Sequence, residues 1–329
     1  MFGIRTWRAL RRRGVLGINQ RNGDYILAYN DRRLYPLVDD KIRTKKLALD
    51  AGIQVPDMYG IIDTEQGISK LQRIVETHGD FVIKPAQGAG GDGIMVISDR
   101  FEGYYRGASG RMISPEELEF HISGIISGIY SLGGHRDRAL IEYRVRSTDL
   151  FDRISIGGVP DVRIIVLKGY PVAAMLRLPT RQSDGKANLH QGAIGVGVDI
   201  ATGVTLSGTW HNLKIDRHPD TAHPVAGVQI PDWEACLELA ARCYELTGLG
   251  YLGVDLVMDK HKGPLMLELN ARPGLNIQIA NDDGLLRRCR IVEDHLDGLD
   301  WTMEPVARRL ALSKREFAVA RLPEAPEAP

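Results

Sequence analysis

The chain has 329 residues, enough for two domains of ordinary size or for one large domain. Its 42 Lys and Arg balance 42 Asp and Glu, so there is no net positive field to hold a nucleic acid, and we expect no nucleic-acid partner. With 43% hydrophobic and 26% charged residues the composition is that of an ordinary folded protein, and no apolar run is long enough to cross a bilayer as a helix.

The first predicted element is a short basic helix. Six arginines stand among the first 21 residues, and Ile4, Trp7 and Leu10 would lie on one face of a helix over residues 4–13 whose other face is arginine. The apolar stretch at 15–18 is too short for a secretory signal. Three cysteines without paired spacing argue against a disulfide framework and suit a reducing compartment, so we expect a cytoplasmic protein.

Helices and strands then follow one another without a strict repeat. Helices are predicted at 41–51, 67–77, 115–130 and 233–246, and the third of them begins with Ser114 as N-cap followed by Pro115. Strands are predicted at 58–62, 81–84, 94–97, 139–145, 162–167, 172–178, 193–198, 251–258 and 265–270. Residues 211–231 carry three prolines and no periodicity, which predicts a long loop. The mixture favours an α+β fold.

A glycine-rich loop at residues 88–93 matches the pattern G-x-G-x-x-G. A dinucleotide site needs that pattern to open a helix, but an apolar strand-like run follows, so the loop joins two strands. Residues 135–137 spell the His-Arg-Asp of a kinase loop, but Glu142 stands where that loop needs Asn. We interpret the loop as a phosphate cradle, with Lys84 supplying positive charge; the alternative is a long hairpin with a glycine-rich tip. The cradle glycines are Gly88, Gly90, Gly91 and Gly93.

An acidic pair is predicted in the last hairpin. If its turn is centred between residues 261 and 262, Asp255 lies opposite Glu268, and alternation puts Asn270 on the same face. Opposed carboxylates repel, and a divalent cation would reverse that effect. Three oxygen ligands suit Mg²⁺ or Mn²⁺, and the alternative is an exposed polar strand face. In either case the intervening residues are expected in the core: Leu256, Leu267 and Leu269.

Seven short motifs, taken in order, resemble the ATP-grasp ligases, specifically the RimK-type branch that attaches glutamate and its alpha-L-glutamate ligase-like relatives. They are D-K at 40–41 with G-I-Q-V-P at 52–56, V-I-K-P at 82–85 with the glycine loop, L-I-E-Y-R-V at 140–145, P-D-V-R at 160–163, A-N-L-H-Q-G at 187–192, G-V-D at 253–255 and E-L-N at 268–270. The resemblance runs in the family's order from about residue 39 to 284, which is most of the chain.

The resemblance implies an ATP-grasp fold in which two α+β subdomains hold ATP. We expect them at 39–140, with the glycine loop as lid, and at 141–304, with the metal site. A short basic segment at 1–38 precedes them, and a C-terminal helix with a disordered tail follows at 305–329.

The resemblance also implies roles for single residues. Lys41 and Lys84 are expected to contact the phosphates, and Glu142, Tyr143 and Val145 the adenine. Three residues are expected to complete the nucleotide site: Asp161, Lys186 and Asn188. The expected Mg²⁺ ligands are Asp255, Glu268 and Asn270.

The implied activity is ATP- and Mg²⁺-dependent joining of a carboxylate, from glutamate or another amino acid, to an amine or peptide acceptor through an acyl phosphate. Arg163, Arg177 and Arg272 lie beside motifs and are candidates for stabilising the transferring group, with Arg177 and Arg272 expected at the acyl phosphate. The alternatives are a nucleotide-binding sensor that forms no bond and a phosphotransferase.

The segment before residue 39 is much shorter than the domain that RimK-type ligases carry there, so a partner protein is a candidate to complete the active site. The basic helix at 4–13 is a candidate contact for such a partner or for an anionic membrane surface.

Overall fold

Two antiparallel sheets contain all thirteen strands of the described residues, and the α+β layout predicted from the sequence is confirmed. The computed structural model describes residues 2–88, 90–131, 133–297, 299, 304–320 and 322–323, without the side chains of residues 2–5 and 7. The predicted disordered tail lies almost entirely outside these residues. None of the helices in this part of the chain is both long enough and apolar enough to span a bilayer.

Helices and strands are interspersed along the chain without strict alternation. The α-helices are α1 (Phe2–Arg12), α2 (Ile18–Gln20), α3 (Pro36–Asp39), α4 (Lys41–Asp50), α5 (Leu71–Val75), α6 (Pro115–Ser127), α7 (Asp149–Ile154), α8 (Trp233–Thr247), α9 (Ile277–Ala280), α10 (Leu285–Leu296) and α11 (Val306–Phe317). A π-helical stretch covers Arg21–Leu27, and 3₁₀ turns cover Arg32–Leu34, Glu65–Lys70 and Leu189–Gln191. The helix predicted at 67–77 is therefore a 3₁₀ turn followed by the short α5.

Local sequence sets both ends of α6. Ser114 and Glu117 form the reciprocal hydrogen bonds of a capping box at its start, as the sequence predicts for an N-cap at this position. The helix ends at Gly128, whose φ of +91° lies in the left-handed region. A Cβ atom there would lie 2.3 Å from the carbonyl oxygen of His135, so only glycine fits.

The first sheet has six strands in the order β1-β6-β2-β3-β4-β5. Their bounds are β1 Met58–Ile62, β2 Phe81–Pro85, β3 Met95–Phe101, β4 Tyr104–Gly107, β5 Met112–Ile113 and β6 Ala139–Glu142. Helices α5 and α6 pack on this sheet and close a separate hydrophobic core over it. Strand β6 ends at Glu142 rather than at residue 145, because the backbone N–H of Tyr143 donates to Asp57 O (2.8 Å) outside the ladder.

The second sheet has seven strands in the order β11-β10-β9-β8-β7-β12-β13. Their bounds are β7 Asp161–Leu167, β8 Tyr170–Leu178, β9 Ile194–Val198, β10 Thr205–Trp210, β11 Leu213–Ile215, β12 Tyr251–Asp259 and β13 Gly263–Asn270. Helices α8, α10 and α11 pack on it. Cys236 and Cys243 are buried free thiols on α8, as their spacing predicts, and Cys289 is a buried free thiol on α10.

Two tight hairpins are missing from the sequence prediction. The loop predicted at 211–231 contains β11, which pairs with β10 across a two-residue turn of His211 and Asn212, and β3 pairs with β4 across Glu102 and Gly103. All four turn residues have positive φ, which is the geometry that matches the twist of paired strands. The signal for both hairpins was present in the Asn and Gly of these turns.

The segment before α4 belongs to the core of the larger sheet. Leu16, Tyr25 and Tyr35 are at most 8% exposed and pack in that core. Arg21 is also buried, and its Nη1 donates to the carbonyl oxygen of Pro273 (2.6 Å), just beyond β13. These contacts place the N-terminal segment beside the loop that follows the predicted metal ligands.

Candidate active site

The predicted acidic face lies where β12 pairs with β13. Asp255 is paired with Glu268, and Gly253 with Asn270, as the hairpin arithmetic predicts. The premise of that arithmetic was wrong, because Asp259 pairs with Gly263 and the turn is therefore centred on residue 261. The pairs nearest the turn are displaced by one residue from the prediction.

A β-bulge restores the predicted pairing. Leu256 pairs with Met266 while Asp255 pairs with Glu268, so Leu267 is the extra residue of the bulge. Leu267 is consequently half-buried rather than a core residue, which corrects its predicted position, whereas Leu256 and Leu269 are buried as expected.

Asp255 is buried and bound by basic side chains from two neighbouring strands. Arg163 on β7 donates from Nε to Oδ1 (2.7 Å) and from Nη2 to Oδ2 (2.6 Å) of Asp255. Arg177 on β8 donates to the same Oδ2 (2.8 Å), and Asn270 Nδ2 lies 3.2 Å from it. Arg177 also forms a two-bond ion pair with Asp161. The structure thus brings five predicted site residues into one buried network.

The two aspartates of this network differ in their protonation behaviour. Burial raises the pKa of Asp255, but the charges of Arg163 and Arg177 outweigh burial and hold the pKa below its ordinary value. Burial raises the pKa of Asp161 to about 6 against the opposing charge of Arg177, and the nearby Asp255 carboxylate adds to the increase. Asp255 therefore stays ionised at neutral pH, and Asp161 is the member of the pair that binds a proton more readily.

The glycine loop joins β2 to β3, as predicted, and is held at both ends. The carboxylate of buried Asp137 accepts from the backbone N–H of Gln87 (2.9 Å) and from the Ser131 hydroxyl (3.0 Å). At the other end, His121 Nε2 donates to Gly93 O (3.0 Å). Burial lowers the pKa of His121, which favours the neutral ring. Neither anchor was predicted from the sequence, although Asp137 belongs to the His-Arg-Asp triplet.

The loop lies against the connection between β8 and β9. A Cβ atom on Gly91 would lie 3.4 Å from the Lys186 side chain, and one on Gly90 would lie 3.9 Å from Asn188 Nδ2. Lys186 Nζ also lies 3.2 Å from Asp92 Oδ1 of the loop. Residues predicted to complete the nucleotide site therefore meet the predicted phosphate cradle, although the two belong to different sheets.

A buried carboxylate on β6 lies between two lysines, one on β2 and one on α4. Glu142 Oε1 is 2.6 Å from Lys84 Nζ, and its Oε2 is 2.8 Å from Lys45 Nζ. All three side chains are at most 4% exposed. Burial raises the pKa of Glu142, but the charges of Lys84 and Lys45 outweigh burial and lower it. Lys45 was not predicted from the sequence, where its only signal was its position one helical turn after Lys41.

Lys41 connects the glycine loop with the acidic face. Its Nζ donates to Gly88 O (2.6 Å) and lies 3.2 Å from Glu268 Oε1. Lys41 stands at the first turn of α4, where the carboxylate of Asp40 accepts from the backbone N–H groups that follow. Glu268 is about one-third exposed, so the junction opens towards solvent.

The remaining predicted residues lie on the segments that follow β6 and β13. Arg272 is exposed, and its guanidinium carbon stacks 4.9 Å above the ring centroid of Tyr35; no direct contact joins it to Arg177. Tyr143 and Val145 are half-buried directly after β6, and Lys262 Nζ lies 4.8 Å above the Tyr143 ring. Arg272 and Tyr143 therefore flank the network without joining it.

The oxygen atoms of the acidic face fit a hard divalent cation. Among the described residues, Asp255 Oδ1 accepts one hydrogen bond, from Arg163, and Glu268 has one ion pair, with Lys41. Asn270 turns Nδ2 towards Asp255, so its Oδ1 is the amide atom that could serve as a ligand. Mg²⁺ is commonly held by one or two carboxylates together with phosphate oxygens and water. In the described part of the chain no three His, Cys, Asp or Glu side chains gather at one point, so a metal here needs Asn270 or phosphate as ligand.

The chain matches the model of one protein family, described as sugar-transfer associated ATP-grasp, over residues 20–294. No curated protein sequence matches it significantly.

Several solved structures are similar to the chain at low identity. The ATP-grasp ligase PsnB complexed with minimal precursor is 16% identical, over 81% of this chain and 63% of that chain, with a TM-score of 0.45. D-cycloserine synthetase DcsG is 16% identical, over 82% and 73%, with a TM-score of 0.46. A RimK domain ATP-grasp protein from Sphaerobacter thermophilus is 15% identical, over 79% and 69%, with a TM-score of 0.45. The chain thus spans less than two thirds of the PsnB chain.

Proposed function

The chain belongs to the sugar-transfer associated ATP-grasp family, and from that premise we propose that it is an ATP- and Mg²⁺-dependent ligase that joins a carboxylate to an amine. In such a reaction a carboxylate takes the γ-phosphoryl group, ADP leaves, and an amine then displaces inorganic phosphate from the acyl phosphate. We propose glutamate or another amino acid as one substrate and an amine or peptide as the acceptor.

The observation that carries this proposal is the position of Lys41. One ammonium group lies 2.6 Å from Gly88 O of the glycine loop and 3.2 Å from Glu268 of the acidic face. The same ammonium group therefore contacts the proposed phosphate cradle and one of the proposed metal ligands. A triphosphate bound together with a divalent cation would need both sets of groups close to each other, one for the phosphate oxygens and one for the cation.

Three elements would hold the phosphates. The backbone N–H groups of Gly90, Gly91 and Gly93 would approach the oxygens from the loop. Lys41 and Lys84 would supply positive charge, with Lys84 kept in place by Glu142. Tyr143 and Val145 would line the adenine next to Glu142, and Asp161, Lys186 and Asn188 would complete the site.

Asp255, Glu268 and Asn270 would hold Mg²⁺. Bound Mg²⁺ and ATP would supply an electrophilic phosphoryl group whose charge is partly neutralised. Arg163 would fix the orientation of Asp255, since it binds both carboxylate oxygens. A metal ligand that is already held in place reorganises less when the cation binds.

Arginines on the open side would stabilise the acyl phosphate. Arg272 is exposed and stacks on Tyr35, so its guanidinium can meet a ligand on the side that faces solvent while it keeps this contact. Arg177 is shared by Asp161 and Asp255, and it would act from the floor of the site. Removing one such donor typically costs roughly 10²–10³ in rate.

The test is a search for product. The full chain is incubated with ATP, Mg²⁺ and pooled amino acids and peptides, and mass spectrometry looks for two substrates joined with loss of water. Released phosphate should require both substrates. Glu268→Gln should lower the rate by roughly 10²-fold or more, because it removes a charge at the metal. Glu238→Gln, the same change at an exposed position of α8, is the control and should leave the rate unchanged.

Three outcomes would count against the proposal. Binding of ATP with no product over a broad screen would favour a nucleotide sensor. An acceptor that gains phosphate would make the protein a phosphotransferase. A fully active Glu268→Gln variant would remove the acidic face from the mechanism.

A further inference from the structure

A second concave site lies between the end of α1 and the beginning of α10. It is a cavity of about 580 Å³, within the range of roughly 300–1,000 Å³ that is common for ligand sites. Its lining shares no residue with the candidate active site. Five exposed arginines line it: Arg11, Arg12, Arg13, Arg287 and Arg290.

The acidic residues of the cavity are paired mainly with cations outside it. Asp282 lies 2.8 Å from Lys214 Nζ and Asp283 lies 2.9 Å from Arg288 Nε, and neither of these cations lines the cavity. Asp282 also lies 3.5 Å from Nη1 of Arg13, and the third acid is Asp294. The five arginines and these two outer cations outnumber the three aspartates, which leaves a local excess of positive charge on a chain whose net charge is zero.

Exposed apolar side chains accompany this charge. Leu10, on α1 one residue before the cavity lining, is 46% exposed, and Ile18 and Leu27 of the same N-terminal segment are 61% and 62% exposed. A surface that combines arginines with exposed leucine on an amphipathic helix matches the interface of an anionic membrane, where phosphates meet acyl chains. A soluble anion would need the charge but would leave the apolar side chains in water.

We propose that α1 and the arginine-lined cavity bind the surface of an anionic phospholipid membrane. The arginines hold the phosphodiester groups of the lipid heads, and Leu10 enters the boundary between heads and acyl chains. Binding of this kind is reversible, because it rests on one amphipathic helix and several charges rather than on a membrane-spanning segment.

The test measures sedimentation of the full chain with vesicles. Vesicles of equal parts phosphatidylglycerol and phosphatidylcholine should carry the chain down, and vesicles of phosphatidylcholine alone should not. Arg287→Gln/Arg290→Gln should lower the partition coefficient at least about tenfold, since each basic residue near an anionic surface contributes about a factor of five. Both residues are exposed on α10, outside the amphipathic helix itself. Leu10→Ser should weaken binding about tenfold.

A matched variant shows whether vesicle binding belongs to this surface or to exposed arginines in general. Arg308→Gln, the same change at an exposed arginine of α11, should leave vesicle binding intact, and unfolding temperatures should agree among the variants. Equal binding by the Arg287→Gln/Arg290→Gln variant and the wild-type chain would overturn the proposal. So would equal binding to neutral vesicles, or displacement from anionic vesicles by millimolar glycerol phosphate, which would indicate a site for a soluble anion.

Discussion

Two buried carboxylates set the charge pattern of the candidate site, and each lies between two cationic side chains. Asp255 is bound by Arg163 and Arg177, and Glu142 lies between Lys45 and Lys84. Removing one partner from a buried pair commonly costs about 3–5 kcal/mol, because a charge is left uncompensated. With two partners each, these carboxylates keep a counter-charge when one is lost.

We expect Lys45 to make the free energy of unfolding depend on pH in the alkaline range. Burial lowers its pKa from an ordinary 10.5 to about 8, against the attraction of Glu142. Between these two pH values the Lys45 side chain binds more protons in the unfolded chain than in the folded chain. Its contribution to the free energy of unfolding therefore rises with pH in this range, and it is lost as the pH falls through about 8. At about 1.4 kcal/mol per pKa unit, the rise is on the order of 3 kcal/mol.

Urea denaturation at about pH 7 and pH 10 checks this expectation. Three buried thiols with raised pKa values lower the stability over the same pH range, so the comparison is between variants. The free energy of unfolding of the wild-type chain should rise with pH relative to that of Lys45→Met, in which Glu142 still has Lys84. Relative to Lys46→Met, the same change at the exposed neighbouring position, it should stay constant. Parallel pH profiles for Lys45→Met and the wild-type chain would show that Lys45 is not the titrating group.

At the scale of elements, the glycine loop depends on what lies under it as much as on its own backbone. Gly93 has φ +74°, and a Cβ atom there would lie 2.5 Å from the Tyr130 ring. Gly103, in the β3–β4 turn, has φ +83° and open space around its Cβ position. Alanine at either position would carry the same backbone strain, but only alanine at residue 93 would also clash with a neighbouring ring.

We expect Gly93→Ala to weaken ATP binding and Gly103→Ala to leave it unchanged. Left-handed backbone costs a non-glycine residue about 1–2 kcal/mol, so both variants should lose stability by about that amount. The clash with Tyr130 should additionally displace the loop in Gly93→Ala. Isothermal titration calorimetry with ATP and Mg²⁺ compares the variants, and equal dissociation constants would contradict the cradle assignment.

For the whole molecule, residues 16–38 supply part of the larger sheet's core. Tyr25 is 2% exposed, and its ring centroid lies 5.7 Å from that of Tyr251 on β12. The segment then reaches Pro273 and Arg272 through Arg21 and Tyr35. It therefore lies beside the loop that follows β13, and a partner protein that completes the site stays a prediction.

We expect Tyr25→Ala to lower the free energy of unfolding by about 3–5 kcal/mol, the usual cost of deleting a buried aromatic ring. Tyr104→Ala removes the same atoms from a side chain that is 50% exposed, and its cost should stay within about 0.5 kcal/mol. Chemical denaturation measures both. A small loss for Tyr25→Ala would mean that the segment docks loosely on the sheet.

The sequence alone determined the features whose causes lie within a few residues or in the order of motifs. The Ser114 cap, the buried cysteine face of α8 and the pairing of Asp255 with Glu268 were predicted from spacing, and the ATP-grasp family was predicted from seven ordered motifs and is confirmed. Even the hairpin succeeded only because a bulge at Leu267 compensated for a misplaced turn.

Tertiary structure decided which charges meet. Lys45 with Glu142, Arg177 with Asp255 and Lys41 with both Gly88 and Glu268 join residues far apart in sequence and, in the last case, two different sheets. A side chain's partner across such distances is fixed by how sheets and helices pack, and local patterns carry no information about that packing.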